Sequence, residues 1–354
     1  MSKWGIEMAD TLTSTLISTL IHYPPRIQLA HTPTPLQPLR RLQKQIGGPL
    51  IWLKRDDMTG STLSGNKVRK LEFIAAKALA LGCDTLITCG GIQSNHCRAT
   101  ALVAAQLGLK CHLILRGQPK ATQASDGNLL LDELSGCSIS YHSPAVYAST
   151  LSRLFTQVSN DYAKAGHRTF AIPTGGSDGD GLWGYIAACD EMSRDFVAQQ
   201  ISPTAIITAS GSGGTQAGLV VGASLLGMQT DIYGINVCDD EQYFIDKIKD
   251  DIADWQLKYP SQSAFELTAS MIRMIDGYVG AGYAKAGQSV IDTIALLART
   301  EGVVLDPVYS GKAFDGLLQE IGGGRFAADS DIVFIHTGGV YGLFPYKAMF
   351  SQSP

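Results

Sequence analysis

The stretch TAIITASGSGGTQAGLVVG, residues 204–222, decides the fold. It begins as a short apolar strand (204–210), turns at the glycines of GSGG (211–214) and continues as an apolar helix. The pattern recurs along the chain, and such alternation predicts an α/β fold with mainly parallel sheets covered by helices on both faces. The remaining predicted strands are 50–56, 84–90, 110–117, 138–143, 168–176, 231–237 and 331–339, and the predicted helices are 68–81, 95–108, 183–199 and 214–227. Segments 118–130 and 239–265 read as polar connections, and 321–330 reads as a glycine-rich loop.

Composition excludes several classes of function. The chain has 354 residues, of which 45% are hydrophobic and 17% charged, which is typical of a soluble globular protein long enough for two domains. The net charge of −4 and the lack of a basic block argue against nucleic acid as a partner. No apolar run reaches the length of a membrane-spanning helix, so no membrane partner is expected. No His, Cys, Asp or Glu cluster has metal-ligand spacing.

The seven cysteines include no CxxC pair, which predicts reduced thiols and a cytoplasmic protein. Cys89 lies beside a glycine turn, where a small core residue is favoured over a reactive thiol. Residues 8–21 carry leucines at helical spacing. They predict an arm packed on the body or on a second subunit, in preference to a weak targeting helix.

Ligands of parallel sheets bind beyond the carboxyl ends of the strands. Four of those ends are rich in glycine: TCGGIQSNH (88–96), IPTGGSDGDG (172–181), ASGSGGTQAG (209–218) and IHTGG (335–339). The third has the strongest signal, because its glycines expose backbone N–H groups at a helix N-terminus and so form a cradle for a phosphate. A purely structural turn is the alternative. The loop lacks the GK[ST] ending of a nucleotide-binding P-loop.

Lys67 follows the turn formed by Ser64, Gly65 and Asn66, at the start of the helix predicted over 68–81. A cation is disfavoured at a helix N-terminus, so this position favours the neutral amine that can attack a carbonyl. Lys70 lies one turn further on, where it can reach a phosphate. Taken alone, most lysines in such a stretch are solvated surface residues.

Two further groups of polar residues complete the candidate site. Gln93, Ser94 and Asn95 precede an apolar helix, where they are either helix caps or a donor pocket for a carboxylate. Tyr283 and Tyr309 lie in loops rich in small residues, where they either pack or line a ligand pocket. Thr337 ends the last predicted strand and is placed to hydrogen-bond a ring nitrogen.

The ordered set GNKVRKLEF (65–73), GGIQSNH (90–96), ASGSGGTQAG (209–218), LDPVYSGKA (305–313) and HTGG (336–339) resembles the D-cysteine desulfhydrase and 1-aminocyclopropane-1-carboxylate deaminase family. The resemblance covers residues 27–348. These are homodimeric enzymes of fold type II that depend on pyridoxal 5′-phosphate (PLP), with two open, mainly parallel sheets and the cofactor in the cleft between two domains. The resemblance implies a large domain made of residues 1–66 and 178–354, with a small domain of residues 67–177 inserted in it.

The resemblance also implies roles for individual residues. Lys67 would be bonded covalently to PLP, Asn95 would contact the phenolic oxygen, and Thr337 would meet the pyridine nitrogen. The substrate carboxylate would be bound by Gln93, Ser94 and Asn95, and protons would be moved by Lys67, Ser94, Tyr283 and Tyr309, the tyrosines also lining the substrate chamber. The phosphate would be held by Lys70 together with Ser210, Gly211, Ser212, Gly213, Gly214 and Thr215.

One position favours β-elimination from D-cysteine, which yields pyruvate, sulfide and ammonia. The cyclopropane-opening deaminases carry a glutamate where this chain has Ser310, and a neutral partner, Ser310 or Thr337, makes the cofactor a weaker electron sink. The alternatives are the cyclopropane-carboxylate deaminase, a cysteate sulfo-lyase, an amino-acid racemase, a PLP-binding protein without turnover and a nucleotide-binding sensor. Three departures from the family pattern, at Ser64, Trp183 and Tyr341, are expected to reshape the chamber.

Overall fold

A computed structural model describes residues 21–119, 124–262 and 266–350. Apart from Ile21, the arm predicted over residues 8–21 lies outside the described residues. None of the helices in these ranges combines the length and the apolar character needed to cross a membrane. The seven cysteines are free thiols, five of them buried, as the sequence predicts.

Two sheets form the framework, and both are mainly parallel, as predicted. In spatial order the larger sheet contains β1 (Leu36–Pro38), β2 (Leu50–Lys54), β10 (Asp331–Ile335), β7 (Ala205–Ser210), β8 (Asp231–Asn236) and β9 (Arg273–Ile275). Only β1 is antiparallel to its neighbour. The smaller sheet is parallel throughout and contains β5 (Ser138–His142), β4 (Lys110–Arg116), β3 (Thr85–Gly91) and β6 (Thr169–Ala171).

The small sheet takes all its strands from residues 67–177, and the large sheet takes its strands from before and after that range. We propose that the boundaries of the two domains lie after residues 66 and 177. This grouping of strands supports the proposal.

Eleven helices within the described ranges cover the sheets. They are α1 (Arg40–Ile46), α2 (Asn66–Ala80), α3 (Asn95–Gln106), α4 (Gly127–Leu134), α5 (Pro144–Lys164), α6 (Trp183–Gln199), α7 (Gly214–Leu225), α8 (Glu241–Lys258), α9 (Gln288–Glu301), α10 (Ser310–Gly322) and α11 (Lys347–Phe350). The four predicted helices are confirmed to within two residues at each end.

Two predicted connections are wrong. Residues 239–265 contain the 18-residue helix α8, and residues 118–130 contain the beginning of α4. Helix α8 is highly charged, but Phe244, Ile248, Ile252 and Trp255 form a buried stripe at helical spacing. The charged face concealed the helical period of that stripe in the sequence.

A buried ion network fixes the orientation of α2, which carries Lys67. Arg69 donates to both carboxylate oxygens of Asp56, at 2.8 and 3.0 Å, and to both of Glu191, at 2.9 and 3.0 Å. Lys54 forms a second ion pair with Glu191, at 2.6 Å. The network connects α2 to the end of β2 and to α6, so the helix start is held from two sides.

Asp132 of α4 is fully buried, and neither of its carboxylate oxygens has a hydrogen-bond partner within the described ranges. Burial raises the pKa of Asp132 to about 8. Because the unfolded-state pKa is about 3.9, the contribution of the neutral Asp132 carboxyl group to stability is fully present below about pH 4 and is lost as the pH rises towards 8.

We therefore expect Asp132→Asn to stabilise the protein by about 3–4 kcal/mol more at pH 8 than at pH 5, since the amide does not ionise. Urea unfolding of both proteins across this pH range measures the difference. Parallel stability curves would contradict a buried carboxyl group that ionises only near pH 8.

Candidate active site

A cavity of about 380 Å³ lies between the two sheets, at the carboxyl ends of their strands. Its lining includes Gly90 and Gly91 at the end of β3, Thr174 and Gly175 after β6, residues 209–213 at the end of β7 and beyond it, and Thr337 after β10. In each sheet the strand order reverses at these strands, between β3 and β6 and between β7 and β10. Such reversal points open crevices where ligands bind. The four glycine-rich strand ends predicted as ligand-binding therefore meet in one place.

Lys67 lies in the first turn of α2 and lines this cavity. The turn before it requires glycine at position 65, where φ is +111° and a Cβ atom would lie 2.7 Å from the carbonyl oxygen of Thr337. Burial lowers the pKa of the Lys67 amine to about 8. The sequence predicts a neutral amine from the helix N-terminus, and in the structure the burial of Lys67 favours the neutral form as well.

A second buried amine lies beside the first. The Nζ atoms of Lys67 and Lys70 both donate to the carbonyl oxygen of Gly175, each at 3.3 Å. Burial, followed by the charge of Lys67, lowers the pKa of Lys70 well below its usual value. Two amines converging on one carbonyl group form a site that an anion would stabilise.

The loop after β7 faces these amines. A Cβ atom on Gly214 would lie 2.8 Å from the Lys70 Nζ and 2.6 Å from the Ser177 Oγ, so the backbone approaches both groups closely. Ser177 donates to the Ser212 hydroxyl at 2.9 Å and accepts from the backbone N–H of Gly214 at 3.2 Å. The amine, the two hydroxyl groups and the start of α7 together offer the donors that a phosphate dianion needs.

The start of α3 forms another wall of the cavity. Ser94 is the N-cap and accepts from the backbone N–H of Cys97 at 3.2 Å, while Asn95 is held by the side chain of Asn128 at 2.9 Å. Ser94 and Asn95 both line the cavity. Gln93 does not, because its side chain donates to the Asp126 carbonyl and accepts from the Asn128 N–H. The structure thus places the predicted Gln93 side chain away from the other two.

Tyr283 and Tyr309 are brought together across the cleft. Their hydroxyl oxygens lie 2.6 Å apart. The Tyr283 ring packs on Gly91 at the end of β3, and the Tyr309 ring packs on Gly211 after β7. Burial raises the pKa of Tyr283 to about 12 and that of Tyr309 well above its usual value. Both hydroxyl groups are therefore protonated at neutral pH. One of them donates to the other, which leaves one proton of the pair free to be donated to a ligand.

Thr337 and Ser310 are the two alternative partners that the sequence predicts for a ring nitrogen, and they lie in different surroundings in the structure. Thr337 lines the cavity. Ser310 does not, and its hydroxyl donates to Asp306 at 2.5 Å. Asp306 in turn accepts from the backbone N–H groups at the start of α10, so its carboxylate is directed into the helix.

The three departures from the family pattern do not line the chamber, contrary to expectation. Trp183 is fully buried in the hydrophobic core, where it packs against Trp255 and Tyr259. Ser64 donates to the Asp57 carbonyl, and the Tyr341 ring lies over the guanidinium of Arg98.

Sequence reasoning missed several residues at or near the cavity. Ser177 does not line the cavity but contacts the loop after β7, and it had a signal, since it follows the glycines of a strand end. Lys247 lines the cavity from α8 and is paired with Asp251, and Arg116 lines it from the end of β4. Neither position carries a local motif that predicts a site. Cys89 is buried beside Thr174, at 3.1 Å between Sγ and Oγ1, and burial raises its pKa, which agrees with an unreactive thiol.

Comparison with known proteins places the chain in a family. A family profile described as "Pyridoxal-phosphate dependent enzyme" matches residues 27–338. The chain is 40% identical to a D-cysteine desulfhydrase of Klebsiella pneumoniae, covering 91% of this chain and 96% of that protein. It is 39% identical to a putative 1-aminocyclopropane-1-carboxylate deaminase of Thermotoga maritima, covering 90% and 97%.

Solved structures agree with these sequence matches. The crystal structure of an ACC deaminase homologue superposes with a TM-score of 0.84 at 33% identity, covering 95% of this chain and 98% of that one. An O-ureido-L-serine synthase shares the fold at 14% identity and a TM-score of 0.64. The extent of these matches, together with paired lysines facing a glycine-rich anion cradle, shows that the chain belongs to the family of pyridoxal-phosphate dependent enzymes.

Proposed function

We propose that this enzyme catalyses β-elimination from D-cysteine, consuming water and releasing pyruvate, sulfide and ammonia. One observation supports elimination over cyclopropane opening. The cavity meets Thr337 at the end of β10, while the neighbouring Asp306 carboxylate is occupied by the start of α10. A neutral hydroxyl group there suits a reaction in which negative charge leaves with the β-substituent. Relatives named D-cysteine desulfhydrase support the same substrate.

The residues of the cavity fit PLP. We propose that Lys67 forms the covalent bond to it and that Asn95 and Thr337 contact its ring. The phosphate would be held by Lys70, Ser177 and the loop of residues 210–215, where a Cβ atom on Gly214 would fill the cradle. When bound, PLP supplies an electron sink that stabilises negative charge on the substrate Cα.

The protein's own residues bind the substrate and move its protons. The N-terminus of α3, with Ser94 and Asn95, would bind the substrate carboxylate. Lys67, as a neutral amine, would remove the Cα proton. One hydroxyl group of the Tyr283–Tyr309 pair would donate a hydrogen bond on the side where the sulfur leaves, since both are protonated at neutral pH and the other donates within the pair. Proton transfer by the positioned Lys67 amine would contribute on the order of 10²–10⁴ to the rate.

Product analysis tests the proposal. The PLP-loaded enzyme is incubated with D-cysteine, L-cysteine, cysteate and 1-aminocyclopropane-1-carboxylate, and sulfide, keto acids and enantiomers are measured. Equal amounts of sulfide and pyruvate from D-cysteine are expected. Formation of 2-oxobutanoate from the cyclopropane substrate alone would favour the deaminase, which is also supported by relatives carrying that name. Sulfite from cysteate, or L-cysteine from D-cysteine, would identify the sulfo-lyase or the racemase.

The pH dependence of PLP capture follows from the pKa of Lys67. Only the neutral amine reacts with the aldehyde of PLP, and burial lowers the amine pKa to about 8. The rate of capture by the apoenzyme is expected to rise with pH, reach half its maximum near pH 8 and level off above. Stopped-flow absorbance measures this rate. A midpoint near 10.4, the value of a solvated lysine, would contradict the buried amine.

We also propose a homodimer in the cytoplasm. Free thiols, five of them buried, fit a reducing compartment. Light scattering at several protein concentrations measures the mass. A mass of one chain throughout would contradict the dimer.

A further inference from the structure

Arg116 is the last residue of β4 and pairs in register with Gly91 of β3, so its side chain starts at the edge of the cavity. Its guanidinium carbon lies 4.8 Å from the ring centroid of Tyr283 and 5.7 Å from that of Tyr147. All three side chains line the cavity. The two rings therefore hold a planar cation on the tyrosine side of the chamber.

This cation has no carboxylate partner within residues 21–119, 124–262 and 266–350, and its N–H groups make no hydrogen bond there. Other arginines in the described chain differ. Arg69 is bound by two carboxylates, and the buried Arg98 donates to the carbonyl groups of Thr62 and Ser64. A half-buried guanidinium that faces a cavity with free donors is able to bind an anion.

The field of Arg116 stabilises anions at several nearby atoms. Burial raises the pKa values of Tyr283, Cys89 and Cys238, and the charge of Arg116 acts in the opposite direction on each. Two of these three acids are thiols. Each of these pKa values is still raised on balance, so the charge of Arg116 offsets part of the cost of placing a negative charge on sulfur or oxygen beside the tyrosine pair.

The substrate carboxylate does not need this cation. The N-terminus of α3, with Ser94 and Asn95, offers a separate set of donors at the cavity wall. Arg116 instead shares its position with Tyr283, whose hydroxyl lies 2.6 Å from that of Tyr309. This is the side assigned above to the departing sulfur.

We infer that Arg116 stabilises the leaving group as it departs as an anion, so that the enzyme acts on amino acids whose β-substituent is a thiolate or another poor anionic leaving group. The inference rests on the proposed β-elimination. The base takes the Cα proton, and the C–H electron pair becomes the Cα–Cβ double bond. The Cβ–S bond breaks with both electrons on sulfur, which leaves as hydrosulfide and is later protonated to hydrogen sulfide.

Leaving groups of different basicity test this role. D-cysteine expels hydrosulfide, whereas β-chloro-D-alanine expels chloride, which needs little stabilisation. Arg116→Gln is expected to lower kcat/KM for D-cysteine by about 10²-fold, the effect of losing one charge-stabilising donor, and for β-chloro-D-alanine by only a few-fold. Arg116→Lys, which keeps the charge, is expected to recover part of the D-cysteine activity. An equal loss on both substrates would overturn the inference, because it would indicate carboxylate binding or a displaced Tyr283.

A binding measurement separates this inference from the proposed function. Thiocyanate, a soft anion, is titrated calorimetrically into the borohydride-reduced holoenzyme. The wild type is expected to bind it at least 10-fold more tightly than Arg116→Gln, with Arg116→Lys in between and thermal unfolding checking that each variant is folded. Equal affinities would overturn the inference. If the wild type turns over neither substrate, the proposed function fails and thiocyanate binding alone decides the role of Arg116.

Discussion

Lys67→Ala is expected to lower kcat for the elimination by at least about 10²-fold, because one positioned proton-transfer group contributes roughly 10²–10⁴ to the rate. The variant also loses the covalent attachment of the cofactor, because the buried amine beside the phosphate cradle is removed. Steady-state kinetics measure the first effect. Borohydride reduction followed by peptide mapping measures the second, and no labelled peptide containing residue 67 is expected.

Lys67→Arg is the matched control. It keeps a cation and most of the side-chain volume, but a guanidinium does not lose its proton in proteins. It should therefore be as inactive as Lys67→Ala. Recovery of activity in the arginine variant, or a reducible bond at Lys70 in either variant, would show that Lys67 is not the reacting amine.

Arg69→Met is expected to destabilise the protein by about 3–5 kcal/mol, because it leaves the buried carboxylates of Asp56 and Glu191 without their shared cation. Burial raises the pKa of Glu191, but its contacts with Arg69 and then Lys54 lower it to about 2. That carboxylate therefore contributes stability above about pH 4.3, and the contribution is lost as the pH falls towards 2. Arg69→Met should also weaken this acid dependence. Urea unfolding from pH 2 to 7 measures both effects.

Lys164→Met provides the control. Lys164 pairs with Asp161 at 2.9 Å, but both side chains are more than half exposed, so the loss should stay below about 1 kcal/mol. A similar loss for the two variants would contradict the buried network as a main support of α2.

A second measurement on Arg69→Met is PLP capture at Lys67. It should slow in Arg69→Met even at low temperature, where the fold is retained, because the helix start is no longer held by the network.

Most residues of the candidate site could be predicted from the sequence, because the turns that carry them are formed by residues close together in the chain. Gly65, the glycines at 211–214 and the cap at Ser94 are each required within a few residues of where they occur, so the strand ends are visible as motifs. Parallel sheets then bring the carboxyl ends of their strands to one edge. The order of these motifs along the chain is what distinguished Lys67 from the other lysines.

The predictions failed where a contact depends on distant residues. Trp183 was expected near the substrate, but it packs against Trp255, which belongs to a helix read as a polar connection. Gln93 was expected to bind a carboxylate, but Asn128 of α4, a helix whose start was also missed, occupies its side chain. In both cases an unrecognised helix supplies the partner.

The sequence by itself determined the α/β class, the positions of the glycine-rich turns and the position of Lys67 at a helix start, because strand–helix alternation and glycine turns are short-range properties of the chain. The tertiary structure alone decided which groups face one another across the cleft. It places Thr337, and not Ser310, in the lining of the cavity and brings the hydroxyl oxygens of Tyr283 and Tyr309 within 2.6 Å of each other. It also leaves the guanidinium of Arg116 at the cavity without a carboxylate partner among the residues that the structure describes. The physical reason is that these contacts depend on the packing of the two sheets, which local sequence patterns do not show. The same packing removes solvent from Lys67, and this loss of solvent lowers the pKa of its amine.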